Sequence, residues 1–223
     1  MDKSLTEMVF VIDRSGSMKG LEKETIDGFN NMMENQKKQK GDALVTLVLF
    51  DGCVNELYVQ RRIEKVEKLS EKQYFVRGCT ALLDAIGSSI EGVCERRICK
   101  KESEIPSKTI FVIITDGFEN SSNFYSLKET KQLINKAKES NFEFMFLGAD
   151  MKGVREAVSW GINPTNVVKY KNDVKGIQIN FKALDKVITK YRKQPGNKVF
   201  ANTNWAESIT KNDRKRNHGS IFK

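Results

Sequence analysis

The sequence contains only one histidine, three prolines and four cysteines among 223 residues. The histidine, His218, lies near the carboxyl end. A Ser-His-Asp triad needs a histidine as its general base, so this position argues against such a triad. The cysteine spacing fits neither a CxxC pair nor a zinc ribbon, the positions being Cys53, Cys79, Cys94 and Cys99. We therefore expect reduced thiols in a cytosolic protein rather than disulfides or a zinc site.

Long apolar runs are also missing. No run approaches the roughly 20 residues that a membrane-spanning helix requires. The first ten residues, MDKSLTEMVF, lack the basic and then apolar order of a signal peptide. These absences predict a cytoplasmic location, and the short loops favour an intracellular protein of bacterial or phage type.

Acidic residues are outnumbered, 29 against 38 lysines and arginines, which gives a net charge of +9. Part of this excess lies in residues 211–223, KNDRKRNHGSIFK, which carry five basic residues and one aspartate. Such a segment is typical of a solvated tail, although contact with nucleic acid is the alternative. The sequence has no RNP, KH, zinc-finger or helix-turn-helix motif, and this favours the tail.

Apolar and amphipathic segments alternate along the chain. Short β-branched and aromatic runs predict strands at EMVFVID, KTIFVIITDG, FEFMFLGAD and TNVVKYK. Two further runs, ALVTLVLFDG and CVNELYVQ, flank Asp51 and Gly52 and predict an antiparallel hairpin. Helical spacing of apolar residues predicts helices over residues 21–39, 80–97, 127–140, 151–161 and 174–191.

Strands separated by single helices indicate parallel βαβ units with right-handed crossovers. The predicted fold is therefore α/β and Rossmann-like: a doubly wound, mostly parallel central sheet with one antiparallel edge strand and helices on both faces. We expect one domain over residues 1–194, followed by an irregular basic tail over residues 195–223.

Oxygen-bearing side chains follow three of the apolar segments. Asp13 ends the first predicted strand and precedes Ser15 and Ser17, Asp116 ends another strand, and Thr80 begins a helix. Ligands of open α/β sheets bind outside the carboxyl ends of the strands. Each residue alone is explained as a helix cap or a turn. Together the five hard oxygen donors favour a site for Mg²⁺, Mn²⁺ or Ca²⁺.

These segments resemble a known family. DRSGSM at residues 13–18 resembles the DxSxS signature of von Willebrand factor type A (vWA) domains, and GCTAL and TDG resemble the threonine and aspartate loops of that family. The resemblance extends over about residues 7–188 and implies the vWA fold with a metal-ion-dependent adhesion site (MIDAS). It implies that Ser15 and Ser17 bind the metal directly, Asp13 and Asp116 directly or through water, and Thr80 when a ligand is engaged.

The resemblance further implies an open metal position that a partner protein fills with an Asp or Glu carboxylate. We therefore expect a Mg²⁺-dependent protein-interaction module that is not an enzyme. One alternative is a phosphoryl-transfer or hydrolase enzyme, but the chain lacks a GxxxxGK[ST] loop and a DxD pair. The other is a basic accessory protein associated with nucleic acid.

Three further residues belong to this region of the sequence. We expect Met18 to pack beneath the loop. We expect Arg14 either to face an acidic partner surface or to be an exposed bystander. Asp84, one turn after Thr80, either orients a loop by hydrogen bonding or belongs to the helix surface.

Overall fold

The computed structural model describes residues 5–193 and 204–214. Within these ranges the chain forms one six-stranded sheet and six α-helices. The strands are β1 (Thr6–Asp13), β2 (Ala43–Phe50), β3 (Val54–Arg62), β4 (Lys108–Thr115), β5 (Phe142–Gly148) and β6 (Val167–Lys169). The helices are α1 (Glu22–Lys37), α2 (Leu82–Ile98), α3 (Leu127–Glu139), α4 (Met151–Ser159), α5 (Val174–Lys193) and α6 (Glu207–Arg214).

The strand order is β3-β2-β1-β4-β5-β6. Every neighbouring pair is parallel except β2 and β3, which are antiparallel. Every residue of the central strands β1 and β4 is buried, as expected where helices cover both faces of a parallel sheet. The predicted fold class, including the antiparallel edge strand, is therefore confirmed.

Two apolar cores lie on the two faces of the sheet. Alternate residues of β1 divide between them, with Phe10 in one core and Val9 and Val11 in the other. The first core includes side chains of α1, α5 and α6, and the second includes side chains of α2, α3 and α4. No helix of the described ranges has the length and apolar character needed to cross a membrane.

The topology positions one end of the sheet for function. Strands β1 and β4 are parallel neighbours, with Ile12 paired to Ile114. The loop after β1 and the loop after β4 therefore leave the sheet side by side. The segment before α2 joins them, since Gly16 donates its backbone N–H to the Gly78 carbonyl at 3.1 Å.

Part of the predicted tail is ordered. The sequence predicts an irregular segment from residue 195, whereas helix α6 packs on the domain: Ile209 is buried and the Trp205 indole N–H donates to the Thr165 carbonyl at 2.9 Å. Lys169 and Asp213 form an ion pair at 2.7 Å. The α6 segment is short and contacts the domain mainly through Trp205 and Ile209, so its sequence shows no sustained helical period of apolar residues. The rest of the predicted tail, residues 195–203 and 215–223, lies outside the described residues.

Candidate metal centre

Asp13 anchors the loop after β1. Its side chain is buried; Oδ1 accepts the Ser15 backbone N–H at 2.7 Å and Oδ2 accepts the Thr115 hydroxyl at 2.6 Å. The first bond turns the chain sharply at the end of the strand, and the second ties β1 to β4. The carboxylate therefore has a fixed position between the two loops.

The hydroxyls of the motif face each other. Ser15 Oγ lies 3.1 Å from Ser17 Oγ, and Ser17 donates to Asp116 Oδ1 at 2.5 Å. Two hydroxyls from the loop after β1 and one carboxylate from the loop after β4 thus form a continuous row of oxygen atoms.

The Thr80 hydroxyl and the Ser17 hydroxyl both lie close to Gly117. A Cβ atom placed on Gly117 would lie 2.9 Å from Thr80 Oγ1 and 3.4 Å from Ser17 Oγ, so both hydroxyls face the small space that glycine leaves free. Asn120 holds the Thr80 backbone with two hydrogen bonds, of 2.9 and 3.0 Å. The structure thus brings the side chains of all five predicted site residues to one end of the sheet.

The donor set fits a hard divalent cation. It consists of three hydroxyls and two carboxylates, and oxygen donors suit Mg²⁺, Mn²⁺ and Ca²⁺. In residues 5–193 and 204–214, no group of three or more His, Cys, Asp or Glu is arranged to hold a metal. Binding a metal at this site would therefore depend on the hydroxyl oxygens, and the glycine at position 117 keeps the space between them open.

Burial controls the charge of both carboxyls. It raises the pKa of Asp13 from 3.8 to about 6, against the opposing hydrogen bonds from Thr115 and Ser15. Burial also raises the pKa of Asp116, although Ser17 and Asn172 oppose the shift by donating hydrogen bonds. A nearby cation would favour the ionised form of each carboxyl.

The affinity for Mn²⁺ is expected to depend on pH. Because the pKa of Asp13 is raised, the stability that its proton gives the folded chain is complete below about 3.8 and is lost as pH rises through about 6. A metal competes with that proton, so affinity should fall by about tenfold per pH unit below about 6. Mn²⁺ titrations across this range test the slope, and a flat profile would contradict it.

Comparison with known proteins identifies the family. The model of the von Willebrand factor type A domain matches residues 7–210. The chain belongs to this family. No curated protein sequence matches the chain.

Solved vWA-like structures share the fold at low sequence identity. The manganese-loaded TRAP protein of Plasmodium vivax is 16% identical, with a TM-score of 0.55 over 80% of this chain and 74% of that one. The mussel byssus proximal thread matrix protein 1 with a zinc-occupied MIDAS motif is also 16% identical, with a TM-score of 0.55 over 82% and 46% of the two chains. A von Willebrand factor type A protein from Catenulispora acidiphila is 15% identical, with a TM-score of 0.59 over 83% and 43%. The chain thus spans less than half the length of the last two.

Asp84 orients the loop after β4 in this vWA domain. Its carboxylate accepts the backbone N–H groups of Asn123, Phe124 and Tyr125, each at 2.9 Å. Of the two alternatives for Asp84, loop orientation is therefore confirmed. Since Asp84 lies one turn after Thr80, α2 couples the threonine loop to the aspartate loop.

The expectation for Arg14 is wrong. Its side chain is 3% exposed, and Nε donates to Asp51 Oδ2 at 2.8 Å. Arg77 pairs with the same oxygen at 2.9 Å, and both guanidinium groups lie over the Phe75 ring. Arg14 turns inward because its carboxylate partner directly follows β2, the strand paired with β1. Met18, by contrast, is buried in the core as predicted.

Asn172 is a site residue that the sequence did not reveal. It lies in the loop between β6 and α5, and its Nδ2 donates to Asp116 Oδ2 at 2.7 Å. The bond leaves Oδ1 of Asp116 to Ser17 and fixes the plane of the carboxylate. A lone asparagine 56 positions away from its partner gives no signal in a single sequence.

Replacing Asn172 with alanine is expected to lower Mn²⁺ affinity by about tenfold, because residues that orient metal ligands typically contribute on this scale. Stability should change little, since Asn172 is exposed. Calorimetric titration measures the affinity, and Asn123→Ala, which removes an exposed amide that bonds the Ser121 carbonyl, is the control. Equal affinities for the two variants would argue against this role.

Proposed function

We propose that the chain is a metal-dependent protein-binding module with a MIDAS-type site. Ser15 and Ser17 would hold the ion directly, Asp13 and Asp116 directly or through water, and Thr80 when a partner is engaged. The observation that carries the proposal is the convergence of hydroxyl and carboxylate oxygens from three loops beside Gly117. Mg²⁺ is the proposed ion, with Mn²⁺ and Ca²⁺ as alternatives.

The donor types support a partner carboxylate as the ligand. Neutral hydroxyls neutralise little of the ion's charge, so a divalent ion held mainly by them would attract an incoming anion strongly. The two carboxylates of the site also have other donors, since Asp13 accepts from Thr115 and Asp116 accepts from Asn172. An Asp or Glu side chain of a partner protein would supply the missing negative charge.

The family supports binding rather than catalysis. Members of the vWA family are generally adhesion or interaction modules. The manganese-loaded TRAP protein and the zinc-occupied byssus protein show that similar folds hold divalent ions. We therefore propose that the chain is not an enzyme. The cytoplasmic location, the bacterial or phage type and the nucleic-acid alternative stay predictions.

Calorimetric titration of Mn²⁺ and Mg²⁺ into the EDTA-stripped chain tests the metal site. The expected result is saturable binding of one ion per chain. Ser17→Ala should weaken it, because it removes the hydroxyl that bridges Ser15 and Asp116. The matched control is Ser159→Ala, which changes an exposed serine of α4. Absence of saturable binding at millimolar ion, or equal affinity in both serine variants, would contradict the proposal.

A further inference from the structure

A groove of about 990 Å³ lies between α2, α3 and the loop after β4, the loop that also carries Asp116. One wall is a face of α2 with Asp84, Ser88 and Glu91, and the other is a face of α3 with Leu133 and Lys136. The loop 123–125 and the start of β3 also line the groove. This volume is at the upper end of the range for ligand pockets, so the groove has room for side chains of a bound segment.

An exposed aromatic ring lies at this groove on a fixed backbone. Phe124 is 84% exposed, yet its backbone N–H and that of Tyr125 donate to the buried carboxylate of Asp84. The Tyr125 ring rests against Gly87, where a Cβ would lie 2.4 Å from the ring. An aromatic side chain held outward by a fixed loop is typical of a binding anchor, because little ordering is left to occur on binding.

The groove is acidic although the chain has a net charge of +9. Glu91 and Glu129 line it together with Lys136. Glu129 accepts hydrogen bonds from Ser126, which lower the pKa of Glu129 and keep its carboxyl ionised.

Other basic groups lie outside the groove. The Arg77 guanidinium lies 5.2 Å from the Phe75 ring centroid, and the Lys152 ammonium lies 4.7 Å from that of Phe118. Phe75 and Phe118 are each 42% exposed. The surface is therefore polarised, and the acidic groove with its free ring has the opposite charge to these two cation-covered rings.

We propose that this groove binds a segment of the partner in which an aromatic or aliphatic side chain adjoins a lysine or arginine. The ring of Phe124 and the side chain of Leu133 would contact the apolar group, and Glu91 and Glu129 would pair with the cation. The inference rests on the proposed function for its partner, since the same partner would place a carboxylate at the metal. The groove itself contains no predicted metal ligand.

The test uses the blocked dipeptide N-acetyl-Phe-Lys-amide, which has no carboxylate, and the full chain in EDTA. Titration followed by NMR is expected to give saturable shifts of the amides of the loop 123–125. Affinity should exceed that of N-acetyl-Phe-Glu-amide and N-acetyl-Gly-Lys-amide by about fivefold or more, roughly 1 kcal/mol. Because no metal is present, failure of the metal site cannot produce a negative result here.

Two variants and a control locate the binding. Phe124→Ala and the double variant Glu91→Gln/Glu129→Gln should each weaken dipeptide binding about fivefold or more, on the same scale. Phe118→Ala, which removes an aromatic ring of the cation-covered part of the surface, should leave binding unchanged. The proposal is overturned if N-acetyl-Phe-Glu-amide binds equally well, if no saturable shifts occur, or if Phe118→Ala has the effect expected of Phe124→Ala.

Discussion

Replacing Asp116 with alanine is expected to lower the affinity for Mn²⁺ by about 100-fold or more. A unit charge about 4 Å from another contributes about 4 kcal/mol at an effective dielectric constant of about 20, and a divalent ion would lose this attraction twice. Two effects offset much of this loss. The Asp116 carboxylate no longer has to be desolvated, and water takes its place at the ion. Loss of the Ser17 contact at 2.5 Å also frees the serine hydroxyl to rotate.

The same replacement should raise the free energy of unfolding of the metal-free chain or leave it unchanged. Burial raises the pKa of Asp116, so its ionised form is disfavoured in the folded chain without a metal. Calorimetry measures the affinity and urea unfolding checks the fold. The control is Glu139→Ala, which removes an exposed carboxylate at the end of α3. An affinity within about threefold of the original, equivalent to less than 1 kcal/mol, would remove Asp116 from the site.

Replacing Asp51 with alanine is expected to lower the free energy of unfolding by about 3–5 kcal/mol. The change leaves the Arg14 guanidinium buried, with the Gln73 carbonyl, 3.2 Å from Nη1, as its acceptor. It also removes the acceptor for the Cys53 backbone N–H, at 2.9 Å. Removing one member of a buried ion pair is far more costly than removing an exposed charge.

The matched control for this prediction is Arg77→Ala. The Arg77 side chain is 54% exposed and pairs with the same carboxylate oxygen. Exposed pairs contribute about 1 kcal/mol or less, so this variant should unfold at nearly the original urea concentration. The double variant Arg14→Met/Asp51→Leu should recover much of the loss, because it removes both buried charges. Equal destabilisation by Asp51→Ala and Arg77→Ala would contradict the interpretation.

The sheet was predictable because its inner strands are short apolar runs bounded by polar residues, and because Asp51 and Gly52 indicated the hairpin that adds the more polar β3. The first strand, predicted to start at Glu7 and end at Asp13, begins one residue earlier in the structure and ends at Asp13. The helix predicted over residues 174–191 extends to Lys193. Convergence of Asp13, Ser15, Ser17 and Asp116 was predictable because the parallel strands β1 and β4 place their carboxyl ends at one edge of the sheet. Thr80 follows no parallel strand; it was predicted as the start of a helix and, through GCTAL, by the family resemblance.

Other features depend on contacts between distant segments. Arg14 is buried because Asp51, in the turn after β2, and Phe75, in the loop between β3 and α2, surround it, and nothing in the motif itself indicates either partner. Asn172 reaches Asp116 only because β6 lies beside β5 at the edge of the sheet. Helix α6 depends on a buried Ile209 that single-sequence periodicity does not distinguish from a loop residue.

The proposed function requires that a bound ion keep one position open for an external carboxylate. Electron paramagnetic resonance of the Mn²⁺-loaded chain with ¹³C-carboxyl acetate tests it directly, because only a carboxylate bound to the ion gives a strong ¹³C hyperfine coupling. The predicted result is such a coupling in the original chain, saturable in acetate and abolished by EDTA. Bound Mn²⁺ that shows no ¹³C coupling at saturating acetate would contradict an open carboxylate position.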